Sequence, residues 1–155
     1  MTGKKSIYKP AAVIGFLVKT LMVKHPEKQI SPAHIQRIGY FLKRKNLQEF
    51  KDFKYAMSPD GPFSGAVSVE LSTAISRDIV KMIVKKNGWF LEPGKNFEKM
   101  VVLLSDDERA IIRETVNDKV GDMGLKELSE EATKDFWSNS PLSTLLKTFS
   151  HFSTT

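Results

Sequence analysis

The sequence predicts an α+β fold: a mostly helical, winged-helix-like single domain with a small antiparallel sheet made from one strand and a β-hairpin. Three observations predict it. Apolar residues recur at helical spacing in several stretches, as at Val67, Leu71, Ala74 and Ile75. Between the helical stretches, Phe53 and Tyr55 alternate with Asp52 and Lys54, the period of a half-buried strand. Two apolar runs, residues 89–91 and 97–104, flank the turn-rich Glu92-Pro93-Gly94-Lys95-Asn96, which reads as a hairpin.

Taken in order, residues 1–9 form a polar leader carrying Lys4, Lys5 and Lys9. Pro10 suits a first helical turn, and residues 11–23 are almost wholly apolar, which predicts a helix buried on most sides. Lys19 interrupts that run and no small-residue cleavage site follows, so it does not read as a signal peptide. It is also shorter than the ~20 apolar residues a bilayer crossing needs. Ser31-Pro32 supplies a cap and a first-turn proline for a helix reaching about Lys45. Ile35, Ile38, Phe41 and Leu42 share its apolar face, with His34 beside it, a lone histidine that reads as packed or exposed and not as catalytic. After the central strand come a helix capped by Ser64 and a second helix entered at Ser76, whose core face is Ile79, Val80, Met82, Ile83 and Val84. Asn87-Gly88 is its expected stop, and Gly94, Lys95 and Asn96 form the wing tip. Ser105-Asp106-Asp107-Glu108 is a capping box opening a helix to Val120, which accounts for the adjacent carboxylates. Leu125, Leu128, Ala132 and Phe136 mark a last helix, with Trp137 packing at its end. The domain spans residues 1–138. Residues 139–155 form a tail whose Leu142, Leu145, Leu146 and Phe149 make either a short docking helix or a partner-binding segment.

The corner Ser58-Pro59-Asp60-Gly61-Pro62 has its own chemistry. Pro59 sets φ, Asp60 bonds its own backbone, and Gly61 accepts positive φ. One reading makes it a sharp bend feeding a core helix. The other has it present Asp60, Phe63 and Ser64 to a partner, as connecting loops often do.

A family resemblance arises at these residues. Ile35-Gln36-Arg37-Ile38-Gly39-Tyr40-Phe41-Leu42, then Tyr55, then Gly61-Pro62-Phe63-Ser64 with Val67 and Leu71, resembles the core of YwgA-like proteins and the related Panacea (SocA-like) antitoxin domains. A looser match follows at Leu128-Ser129, Thr133 and Trp137, without the histidine the family places after the threonine. The Ser58-Pro59-Asp60-Gly61 turn is also longer than the family's. The resemblance implies a non-enzymatic protein that neutralises or regulates a toxin-like or regulatory partner protein. Asp60, Phe63 and Ser64 would be its contact residues, with Tyr40 and Trp137 either aromatic anchors or core side chains.

Charge supports an alternative. The chain of 155 residues carries a net +6, distributed unevenly. Residues 1–57 hold 12 Lys/Arg against 3 Asp/Glu, and residues 105–155 hold 6 against 10. A basic front half can follow nucleic-acid phosphates, or it can be balanced by the acidic end of the same molecule. In the nucleic-acid reading, a winged-helix regulator would use Arg37, Lys43, Arg44, Lys45, Arg77 and Lys81. Lys43-Arg44-Lys45 also suits the negative end of a helix dipole, and the expected wing, with Lys95 and Lys99 against Glu92 and Glu98, binds phosphate poorly. The chain has no cysteine, which excludes disulfides and thiolate chemistry and fits a cytoplasmic protein. Neither phosphate loops nor catalytic motifs occur, and His25, His34 and His151 are not at metal-ligand spacing. The sequence therefore predicts no enzyme activity, no cofactor, no metal and no membrane partner.

Overall fold

A computed structural model describes residues 7–139. Its centre is α1 (Lys9–Lys24), and every residue from 11 to 18 is buried. A segment apolar on all sides can satisfy itself only in the middle of a fold, and here α3, α4, α5 and β4 pack around it. Gly15 makes one of these contacts close: a Cβ there would lie 2.6 Å from Ile79 Cγ2.

The order is α1, α2 (Pro32–Arg44), a 3-10 turn (Gln48–Phe50), β1 (Ala56–Ser58), β2 (Gly61–Phe63) and α3 (Gly65–Ser76). Then come β3 (Val80–Lys85), β4 (Gly88–Pro93), α4 (Phe97–Val101), α5 (Asp106–Asn117), a second 3-10 turn (Lys119–Asp122) and α6 (Leu125–Ser138). The fold is α+β and mostly helical, as the periodicity predicts, with its strands in two separate antiparallel pairs. Among the described residues, no helix is long and apolar enough to cross a membrane. The expected tail and its Leu142–Phe149 patch, residues 142–149, lie outside the described residues.

The three serine caps predicted from sequence form. Ser31, Ser64 and Ser105 each accept from the backbone N–H three residues on. Two helices end on a left-handed residue that is not glycine. Asn46 (φ 63°) follows α2 and Asp78 (φ 58°) follows α3, each letting the next N–H reach back to Leu42 O or Ala74 O. Asn and Asp tolerate this left-handed conformation better than other side-chain-bearing residues.

Three expected elements differ. Phe53 and Tyr55 are not in a strand. Phe53 N–H turns back to Phe50 O, the two rings stack at 4.8 Å, and pairing starts only at Ala56. The expected helix from Ser76 is instead β3. Asp78 stops α3, and the β-branched Val80, Ile83 and Val84 suit a strand once a partner is at hand. Lys86-Asn87 is therefore a two-residue hairpin turn, with Lys85 opposite Gly88. Residues 97–104 do not form the second hairpin strand. Phe97, Val101 and Leu104 are buried at helical spacing, and Asn96 ties the chain back by donating to Asp78 O and Arg77 O. The hairpin tip is thus at Lys86 and Asn87, not at Gly94, Lys95 and Asn96 as the expected wing had it.

Candidate functional site

The Asp60 corner is built from α2. β1 and β2 pair with Ala56 opposite Phe63 and Ser58 opposite Gly61, so Pro59 and Asp60 form the turn. Ser58 Oγ donates to Gly61 O at 2.7 Å and accepts from Asp60 N–H. Such a short ladder leaves buried carbonyls without partners, and buried backbone groups must find some. Arg37 supplies them. It is 3% exposed; its Nε donates to Asp60 O at 3.1 Å and Ser129 Oγ at 3.3 Å, and its Nη1 donates to Pro62 O at 2.8 Å. Burial pulls its guanidinium below its ordinary pKa, and the Asp60 charge opposes that. Gly61 is required twice over. Its φ is +129°, and a Cβ there would lie 2.7 Å from Arg37 Nε.

Gln36 fixes the exit from the corner. Its Oε1 accepts from Ser64 N–H at 2.9 Å, and its Nε2 donates to Ser64 O at 2.9 Å and Ser68 Oγ at 3.0 Å. One amide thus completes the backbone of Ser64, whose hydroxyl caps α3. Phe63, held between these anchored residues, is 43% exposed. A cleft of about 240 Å³ lies beside it, between Pro32, Gln36, Ser58, Phe63, Ser68 and Leu71. A wider one of about 560 Å³ lies on the other side of Asp60, bounded by Ala33, Pro59, Leu125, Ser129 and Glu130.

Of the five expected partner-binding residues, Asp60 and Phe63 stand exposed at this corner. Ser64 does not: it is fully buried as a cap. Tyr40 is also buried. Its hydroxyl donates to Asp135 Oδ2 at 2.6 Å, and its ring meets Tyr55 edge-on at 5.4 Å. Desolvation, and then the Asp135 bond, push its pKa far up. Trp137 lies near the end of α6 as exposed as Phe63, edge-on to Phe136.

The six expected nucleic-acid residues do not form one surface. Arg37 is buried under the corner. Lys43 donates to Phe53 O, Arg44 Nε pairs with Asp135 at 3.0 Å, and Lys45 pairs with Asp118 at 3.4 Å. Arg77 lies over the Tyr8 ring, its Cζ 5.0 Å from the centroid. Lys81 is exposed on β3, not on a recognition helix. Other basic groups of the front half also meet acidic groups from residues 105–155: Lys9 with Glu108, and Lys24 and His25 with Asp122. Four of the ten described Lys/Arg of the front half thus pair with the acidic end of the same molecule, so part of the charge asymmetry is internal complementarity. The expected result for duplex DNA of mixed sequence is therefore weak binding at low salt. Its salt slope should be unchanged in an Arg44→Ala/Lys45→Ala variant, as titrations at several salt concentrations will show. A slope reduced by about 2 would put both cations on phosphate.

Sequence reasoning missed the structural roles of two residues, one of them, Ser129, named only within the looser family match. Ser129 and Asp135, from α6, complete the bonding of Arg37, Tyr40 and Arg44, and no local pattern announces such distant contacts. The role of His34 was legible in part, since it occupies the third helical position where a capping box normally has Glu or Gln. Its Nδ1 accepts from Ser31 N–H at 3.0 Å and meets Ser31 Oγ at 2.8 Å. Among the described residues, no three His, Asp or Glu side chains gather to hold a metal ion. No protein-family model, curated protein or solved structure matches this chain.

Proposed function

We propose that this chain is a non-enzymatic interaction protein of the YwgA/Panacea type that acts in the cytoplasm and binds a partner protein, a toxin-like or regulatory target, through the Asp60–Phe63 corner. The observation that carries this reading is an exposed aromatic on a rigidly held turn. Arg37 and Gln36 use two buried side chains to fix the backbone on either side of Phe63, so presenting the ring costs little ordering on binding. Aromatic residues seated on such supports are common centres of binding energy. The two clefts beside the corner offer room for a partner's side chains. The motif residues behind the family resemblance, Gln36, Arg37, Gly61, Pro62, Ser64 and Ser129, converge here.

The test places a photo-crosslinking phenylalanine analogue at position 63 and, as control, at exposed Lys51 in the native cells. A single partner protein should attach at position 63 and not at 51. Phe63→Ala should weaken binding to that partner by about 2 kcal/mol, roughly thirtyfold. Its unfolding free energy should change by no more than about 0.5 kcal/mol, since the ring is half exposed. A variant that melts early instead would make Phe63 a structural residue and end this reading.

A further inference from the structure

The hairpin β3–β4 carries a second surface that the Phe63 corner does not use. Leu91 N–H donates outward to Ile30 O at 2.8 Å, away from β3. Leu91 faces Met82 in the ladder. That pair therefore exchanges no bonds, and in an antiparallel ladder the same holds for Val84 and Trp89, two residues on. The N–H and C=O groups of Met82 and Val84 accordingly point out along the free edge of β3. Among the described residues, none of them has a backbone partner outside the hairpin. The side chains above this edge are apolar and open: Val84 is 77% exposed, Met82 44% and Trp89 41%. Below it stand Lys81 and Lys85, with Lys86 at the tip, and no described carboxylate forms an ion pair with any of the three. Glu92, opposite Lys81, is the hairpin's one acidic residue.

From this we infer that the β3 edge accepts an extended segment of an acidic partner protein as an added strand. Open edges invite strand addition, in which main-chain bonds supply affinity and alternate side chains supply specificity. The alternation here specifies the guest. Its residues opposite Met82 and Val84 must be apolar, and those opposite Lys81 and Lys85 must be acidic. A second copy of this chain fits badly, because pairing two β3 strands about Ile83 sets Lys81 against Lys85 twice, and like charges directly opposite repel. Nucleic acid fits less well than protein, because the open main-chain N–H and C=O groups of Met82 and Val84 match a strand's backbone and not a phosphate chain.

The test uses a labelled peptide with the core Glu-Val-Thr-Val-Glu and a control with the core Lys-Val-Thr-Val-Lys, followed by amide shifts and by polarisation. The acidic peptide should bind saturably and shift the amides of Met82 and Val84 and the Trp89 indole. The basic peptide should not bind. Val84→Pro removes an N–H that the hairpin ladder does not use, so the fold tolerates it, and it should weaken binding by about tenfold. Lys81→Glu/Lys85→Glu should reverse the preference between the two peptides, a result that unfolding cannot imitate. Phe63→Ala should leave peptide binding unchanged. Shifts centred on Phe63 instead would overturn this inference while leaving the corner reading intact. Equal binding by Val84→Pro and the unaltered chain, or an oligonucleotide that shifts these amides where the peptide does not, would also overturn it.

Discussion

Replacing Arg37 by Ala should lower the unfolding free energy by about 3–5 kcal/mol, more than any other polar substitution in α2. The guanidinium is almost fully buried and makes three bonds, two of them to carbonyls of the β1–β2 corner. Its removal leaves Pro62 O and Asp60 O short of donors and opens a void beneath Gly61. Each buried group left unpaired costs about 1–3 kcal/mol, and the void adds to that. For a domain of this size the melting temperature should drop by about 10 °C. Arg37→Lys should recover little, because a single ammonium cannot reproduce the fork that reaches both carbonyls. Ser129→Ala should cost less than about 1 kcal/mol, since Nε keeps Asp60 O. Urea unfolding of the three variants checks the order. If Arg37→Ala stays within 1 kcal/mol of the unaltered protein, the corner is not held by this residue, and its role in presenting Phe63 fails with it.

The second large effect is one of pH. Burial, and then the nearby Lys28 charge, pull His34 down from an ordinary 6.5 to about 4. The geometry is consistent with this direction: Nδ1 accepts from Ser31 N–H, so a proton on that nitrogen would break the cap. Above about pH 6.5 the ring is neutral in both the folded and unfolded chain, and its contribution is present in full. As pH falls from 6.5 towards 4, the unfolded chain takes a proton that the folded chain refuses, and stability declines. Below 4 both forms are protonated and this loss stops growing. The total is about 3 kcal/mol, from 1.36 kcal/mol per pKa unit over the gap between 6.5 and about 4. Carboxylates titrate in the same range, so the measurement is the difference between the unaltered protein and His34→Gln. Glutamine keeps an acceptor at the capping-box position without titrating. The two stability curves should run parallel above pH 6.5, and on the way to pH 4 the difference between them should shift by up to about 3 kcal/mol in favour of His34→Gln. Curves that stay parallel throughout would show that His34 titrates normally.

Local chemistry was legible wherever a residue acts on its near neighbours. Ser31, Ser64 and Ser105 read as caps because a helix start leaves N–H groups that a hydroxyl three residues back can satisfy. The burial of α1 followed from a segment with no polar side. Gly61 read as a turn glycine, and its φ is positive.

Period failed where a short apolar run fits two templates. Residues 79–84 match helix spacing as well as strand composition, and the choice depended on the left-handed Asp78 and on β4 lying alongside. Reading Asn87-Gly88 as a helix stop, not as the end of a hairpin turn, then displaced the wing by several residues. Phe97 and Val101 went the other way, since they meet the core at α1 from a short helix, with Leu104 buried just beyond its end.

By itself, then, the sequence determined the fold class, the helix starts, the central helix and the sharp corner at Asp60, because each rests on propensity, capping or patterning within a few residues. Only the tertiary structure decided how the corner is held. Arg37, read as a surface cation, is its buried support, and Ser64 and Tyr40, read as contacts, belong to the interior. Cations of the basic front half meet acidic partners far away in the sequence, as Arg44 does Asp135, 91 residues on. Such pairings depend on which elements pack together, and packing is set by the summed burial of many side chains, not by the local sequence around any one of them.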